Sequence, residues 1–229
     1  MMPAVAASEG HSAHANRGPE TRQRLIHSAL EVFGAYGFDG ASTRMLAERA
    51  GANLAAIPYY FGGKEGLYRA AAEFVVEVSK QQIQPVVDRI ERAGGSGKVS
   101  RRTASALLQE LLERFADLVI GSREAETWAS FIMREQLHPG AAFEILYEGL
   151  MRRIIEAAAN MLAIILRMPA DDTRLMIKAQ TVFGQILIFR TGRAAVLRQL
   201  GWSEISDDGL KLIQSVVREN VGRITGHAK

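Results

Sequence analysis

The stretch STRMLAERAGANLAAIPYYFGGK, Ser42–Lys64, decides how the chain is read. Its first half, Thr43–Ala50, places Met45, Leu46 and the Arg49-Ala50 pair at helical spacing, with Ser42 or Thr43 as the cap. Gly51 breaks the pattern. A second short helix is expected to open at Asn53, whose side-chain oxygen can accept from free amides of a first turn. Two short helices joined by three or four residues make a helix-turn-helix, and the second helix is the usual reader of the DNA major groove.

Working outward, residues 1–20 lack periodicity and read as a disordered arm. A helix is expected from about Thr21, with Leu25, Ile26, Ala29, Leu30 and Phe33 on one face and Gly37 as its C-cap. Lys64 to about Arg92 reads as one long helix with Pro85 as a possible kink, and AGGSGKVS, Ala93–Ser100, as a linker. Beyond it the pattern is helical throughout: Thr103–Ile120, Glu124–Leu137, a break at His138-Pro139-Gly140, Phe143–Arg167, Thr173–Leu200 and Gly209–Ile224. No β-like alternation of useful length is present. The fold class is therefore all-α with roughly nine helices. The domains expected are the arm 1–20, a DNA-binding head over 21–66, and a larger helical domain over 67–229.

Composition permits this reading without proving it. The chain has 229 residues, 48% of them hydrophobic, with a net charge of +3. Residues 1–70 carry seven Lys/Arg against six Asp/Glu, so bulk charge does not argue for nucleic acid. Placement of charge must carry that argument. Cysteine is absent, which removes disulfides and thiolate metal sites and fits a reducing cytoplasm. The five His, at positions 11, 14, 27, 138 and 227, show no metal-ligand spacing. No basic, apolar leader and no run of about 18 apolar residues occurs, so neither a signal peptide nor a membrane helix is expected. With no nucleophile–base pair and no cofactor motif, an enzyme is not expected.

The segments TRQRLIHSALEVFGAYGFDGAST, RMLAERAGANLAAIPYYF and GGKEGLY resemble the TetR family of bacterial transcription regulators. REQLHPGAAFEILYEGLMRRIIEAAANMLA and FRTGRAAVLRQLGW resemble its CecR-like subgroup more loosely. The resemblance implies a homodimer on a palindromic double-stranded operator, with a small, apolar or amphipathic effector bound among the C-terminal helices. Release of the operator by that effector is the leading function expected. Control by a protein partner without a small ligand is the alternative.

The residues expected at DNA are Thr43, Arg44, Asn53, Leu54, Ala55, Tyr59, Tyr60 and Lys64. Thr43 suits a phosphate at a helix N-terminus, and Arg44 a phosphate or the O6/N7 edge of a guanine. Tyr60 and Lys64 are expected at phosphates. Pro58 stands where the family often has Tyr, and Tyr60 where it often has His. Inside a helix Pro58 costs on the order of 3 kcal/mol. Small residues recur through Thr181, Gly184, Ile188, Thr191 and Ala195, and a second stripe runs Leu210, Ile213, Val217 and Ile224. These are the expected dimer faces. The expected effector pocket comprises Trp128, Phe131, Arg134, Phe143, Tyr147, Met151, Phe183 and Gln185, with the Arg134 charge paired to Glu135, Glu144 or Glu148 or to an anionic ligand.

Overall fold

The computed structural model describes residues 17–95, 99–121 and 124–224. The expected arm lies mostly outside them. Among the described residues every regular element is a helix. They are α1 (Arg17–Gly40), α2 (Thr43–Ala50), α3 (Ala56–Phe61), α4 (Lys64–Gly95) and α5 (Arg101–Ala116), the last continued by a π-helical turn, Asp117–Gly121. After α6 (Glu124–Leu137) comes α7, in three stretches: Ala141–Leu146, the π-helical turn Tyr147–Met151 and Arg152–Leu166. α8 (Thr173–Thr191), α9 (Arg193–Leu200) and α10 (Asp207–Ile224) complete the chain. α1 begins four residues before the expected Thr21. The long helix expected over Thr173–Leu200 is two helices, because Gly192 breaks it. α4 runs through Pro85 without interruption.

The chain forms two compact units. One holds the residues up to Phe74 together with Ser130–Phe143; the other holds Val75–Ala129 and Glu144 onward. The first unit is thus larger than the head expected over 21–66. It recruits the second half of α6, more than fifty residues away in sequence.

Its core is built from the apolar stripe of α1. Leu25, Ile26, Ala29, Leu30 and Phe33 are all buried, as are Leu46, Ala47 and Ala50 of α2 and Ile57 of α3. Gly34 lets the α6 segment approach closely, since a Cβ there would lie 3.0 Å from the Phe131 amide nitrogen. Gly37 (φ 74°, ψ 177°) breaks the helical path of α1 in a backbone region that is essentially reserved for glycine. The Arg134 side chain fills the adjoining space: its guanidinium donates to the carbonyl of Ala35 at 3.1 Å, and a Cβ on Gly37 would stand 2.9 Å from Arg134 Nη1. A buried polar cluster completes the unit. The Tyr68 hydroxyl donates to Glu135 Oε1, and the Gly140 amide donates to Glu135 Oε2 at 3.1 Å.

The second unit is a helical bundle in which the apolar face of α7, including Ile154, Ala158, Met161, Leu162 and Ile165, packs between α5 and α8. α10 covers α5 with Ile213, Val217 and Val221.

Candidate nucleic-acid interface

Ser42 is the cap of α2. Its hydroxyl accepts from the Met45 amide at 3.2 Å, which leaves Thr43 half-buried at the first helical position. Gly51 ends the helix in the left-handed conformation (φ 59°) with its amide on the Glu48 carbonyl, and the Ala52 amide follows onto Ala47. The buried Ser28 hydroxyl donates to the Leu46 carbonyl at 2.8 Å, and Arg49 pairs with Glu31, so α2 is tied to α1 at both faces.

The recognition helix differs from expectation at its start. Regular helix begins at Ala56, not Asn53. Asn53 heads the preceding turn: its Oδ1 accepts from the Ala55 amide at 2.9 Å, and its carbonyl from Ala56. Pro58 is consequently the third residue of the helix. The first amides of a helix have no intrahelical acceptor, so a proline there loses nothing from the ladder, and the interior penalty does not apply. Tyr59 resumes the ladder by donating to Ala55. Ile57 is fully buried and pins the helix to the core, so Asn53, Leu54, Ala55, Pro58 and Tyr59 are all turned to solvent.

The charged groups frame this face. Arg44 is exposed and held by Glu48 at 2.7 Å, an i,i+4 pair that raises the guanidinium's pKa further. Lys64 places its ammonium 4.4 Å from the centre of the Phe38 ring, and Arg22 lies over Phe61. Tyr60 is half-buried with its ring against Tyr59 at 4.8 Å, and its hydroxyl stands 3.4 Å from where a Gly18 Cβ would be. The eight residues expected at DNA therefore lie along the turn, α2, α3 and the first residue of α4. Arg22, which with Arg17 and Arg24 is a further candidate for a DNA contact by its charge, rests over the Phe61 ring at 5.3 Å.

The expected effector residues are divided between the two units. Phe131, Arg134 and Phe143 belong to the first unit, and Trp128, Tyr147, Met151, Phe183 and Gln185 to the second. Phe131 is buried against the Tyr68 ring. Arg134 finds backbone carbonyls rather than the carboxylates expected for it. In the second unit Phe183 is buried edge-on against Phe115 at 4.8 Å, and Gln185 accepts from Asn220 at 3.0 Å. Tyr147 and Met151 lie in the π-helical turn of α7. A small cleft of about 10 Å³, room for a single water, lies among α5, α8 and α10, and its walls include Leu112, Ala116, Ile186, Gln214 and Val217. None of the expected pocket residues lines it. Among the described residues of this unit, the buried donors Trp128 Nε1 and Arg190 Nη2 have no acceptor. Arg190 otherwise donates from Nε to the Val119 carbonyl of the π turn at 2.7 Å and faces Glu126 at 3.7 Å, and burial pulls its pKa down.

Of the expected dimer residues, Thr181, Gly184, Ile188, Thr191 and Ala195 are all exposed, although Ala195 falls in α9. The second stripe is corrected. Ile213 and Val217 are buried within the protomer, Leu210 is half-buried, and only Ile224 is exposed. The apolar residues that α10 turns outward are Leu212, Val216 and Ile224.

Comparison with known proteins agrees with this architecture. Residues 25–71 match the model of the bacterial regulatory proteins of the tetR family. Residues 104–226 match the C-terminal domain of the HTH-type transcriptional dual regulator CecR. The chain is similar to the CecR regulator of Shigella flexneri, at 31% identity over 88% of this chain and 89% of that one. In structure it is similar to AibR solved with isovaleryl coenzyme A and operator DNA (TM-score 0.61, 11% identity, 87% of this chain and 97% of that one). It is also similar to a TetR-family regulator from Streptomyces coelicolor (TM-score 0.58, 18% identity, 90% of each chain). At these identities the solved structures speak for the fold alone. The match to the CecR-type domain and the near full-length relative establish that the chain belongs to the TetR family of helix-turn-helix, DNA-binding transcriptional regulators.

Proposed function

We propose that the protein is a homodimeric repressor that a small molecule releases from a palindromic operator. Dimerisation is supported by the solvent-facing Thr181, Gly184, Ile188 and Thr191 of α8, beside which Ile177 and Leu187 are also exposed. Two heads related by a two-fold axis read two half-sites, and linking them raises affinity without new contacts. The observation that carries the small-molecule reading is the pair of orphaned donors, Trp128 Nε1 and Arg190 Nη2, in the C-terminal unit. Buried polar groups are nearly always satisfied, and those that are not ask for a missing partner such as a ligand or water. The related fold of AibR was solved with both an acyl coenzyme A and operator DNA, which is the pair of partners proposed here.

Control by a protein partner is the second reading. It is favoured by the burial of Phe131 and Phe183, residues that a roomy pocket would leave free. One experiment separates the two. The operator is selected from random DNA, and release of labelled operator is followed by fluorescence anisotropy across a compound library, with thermal shift of the DNA-free protein in parallel. A compound that both stabilises the protein and releases the operator supports the repressor reading. A library that neither binds nor releases leaves only the partner reading.

A further inference from the structure

The face that α3 and its leading turn offer to solvent is almost without hydrogen-bonding side chains. Leu54 is 52% exposed and Tyr59 81% exposed, with Ala55 and Pro58 exposed between them. Leu54 and Ala55 of the turn and Pro58 of the first helical turn form the apolar part of this face, and Tyr59, whose amide donates to the Ala55 carbonyl one turn back, adds its hydroxyl. That end is the part of a recognition helix that meets base edges. The polar residue beside the patch is compromised as a reader. Asn53 Oδ1 already accepts from the Ala55 amide at 2.9 Å, which holds the carboxamide toward its own backbone. Arg44 stands on α2, outside the patch, and is held by Glu48.

A base edge in the major groove offers hydrogen-bonding atoms and, in thymine, one apolar group, the C5 methyl. Leu54, Ala55 and Pro58, whose side chains carry no donor or acceptor, discriminate only through that methyl. We propose that Leu54, flanked by Pro58, docks on the C5-methyl group of a pyrimidine in each half-site of the operator, so that the operator carries a 5-methylpyrimidine there. Thymine and 5-methylcytosine share this chemistry. They differ in the adjacent exocyclic group, an O4 acceptor in one and an N4 donor in the other, which Leu54 and Pro58 have no polar side-chain atom to tell apart. The proposal rests on the operator-binding reading above.

The test uses the full-length protein and its selected operator. Thymines are replaced one at a time by deoxyuridine, which deletes only the methyl group. Burial of one methyl corresponds to roughly fourfold in affinity per half-site, or roughly 15-fold when both symmetric positions are changed. The expected result is one deoxyuridine-sensitive position per half-site. At that position 5-methylcytosine should bind several-fold better than cytosine. Leu54→Ala should abolish the deoxyuridine penalty there, and because Leu54 is exposed the variant has no reason to unfold. A flat deoxyuridine scan on a tightly bound operator overturns the proposal and spares the operator reading. A penalty that survives intact in Leu54→Ala also overturns it. Selection that enriches no sequence at all overturns the operator reading and the proposal with it.

Discussion

Tyr68→Phe removes a single oxygen from the interior of the N-terminal unit and leaves the Glu135 carboxylate with one donor fewer. The ring contacts survive: Phe33, Phe38 and Phe131 surround Tyr68 at centroid distances of 4.8, 5.0 and 5.3 Å. The change therefore isolates the hydroxyl. Hydrogen bonds to charged groups contribute about 1.5–3 kcal/mol, and Glu135, at 2% exposure, has no water to replace the lost donor. The expected cost is about 1.5–3 kcal/mol, read as a lower urea midpoint at unchanged slope. Combined with Glu135→Gln, the two losses should be non-additive by about 1 kcal/mol or more, since both act on one contact. The pH dependence adds an independent sign. Burial, and then the hydrogen bond to Glu135, raise the Tyr68 hydroxyl above its ordinary value of 10.0. The folded state thus keeps a proton that the unfolded chain releases. Stability from this group is complete below about pH 10 and falls as pH rises beyond it. The alkaline decline should be shallower in Tyr68→Phe. A variant within 0.5 kcal/mol of the parent at pH 7, with a parallel decline above pH 10, would refute the reasoning.

Gly37→Ala should destabilise by about 1–3 kcal/mol, since it forces a side chain into a glycine-only backbone region and against Arg134; calorimetry measures it. Arg44→Ala should weaken operator binding by about 1–3 kcal/mol and relax preference at one base position per half-site, and unchanged selectivity in a randomised-site assay would reduce Arg44 to a phosphate contact. Lys64→Ala should weaken specific and random DNA by the same factor and lower the slope of log affinity against log salt by about one, which titrations at several salt concentrations would show. Gly184→Leu should give a helical monomer that no longer holds the operator: a Cβ at Gly184 meets nothing within 4 Å inside the protomer, so only a partner helix could object, and light scattering with circular dichroism decides it.

The helix-turn-helix was legible because each of its boundaries has a local chemical cause. Ser42 caps, Gly51 takes the left-handed conformation, and Gly37 takes one that other residues avoid. These are statements about a residue and its nearest neighbours in the chain, and they need no tertiary information. The start of α3 was missed by three residues for a related reason. Asn53 does satisfy a first-turn amide, but an Asx-type bond to the residue two on closes a turn as readily as it opens a helix. Pro58 then settles the matter, because it fits without loss only within the first turn.

What the sequence could not supply was the identity of the neighbour on each apolar face. Arg134 looked like an unpaired charge wanting a carboxylate, and Glu135 like an available one. Their actual partners, the Ala35 carbonyl and the Tyr68 hydroxyl, lie 99 and 67 residues away. The same ambiguity governs α10. It carries apolar residues on two faces, Ile213, Val217 and Val221 at intervals of four and Leu212 and Val216 beside them. Periodicity finds both stripes and cannot rank them. Packing against α5 takes the first, so any surface that α10 contributes to a dimer must be built on the second. A helix with one apolar face announces a core; a helix with two announces a core and a further partner, and only the fold says which face serves which.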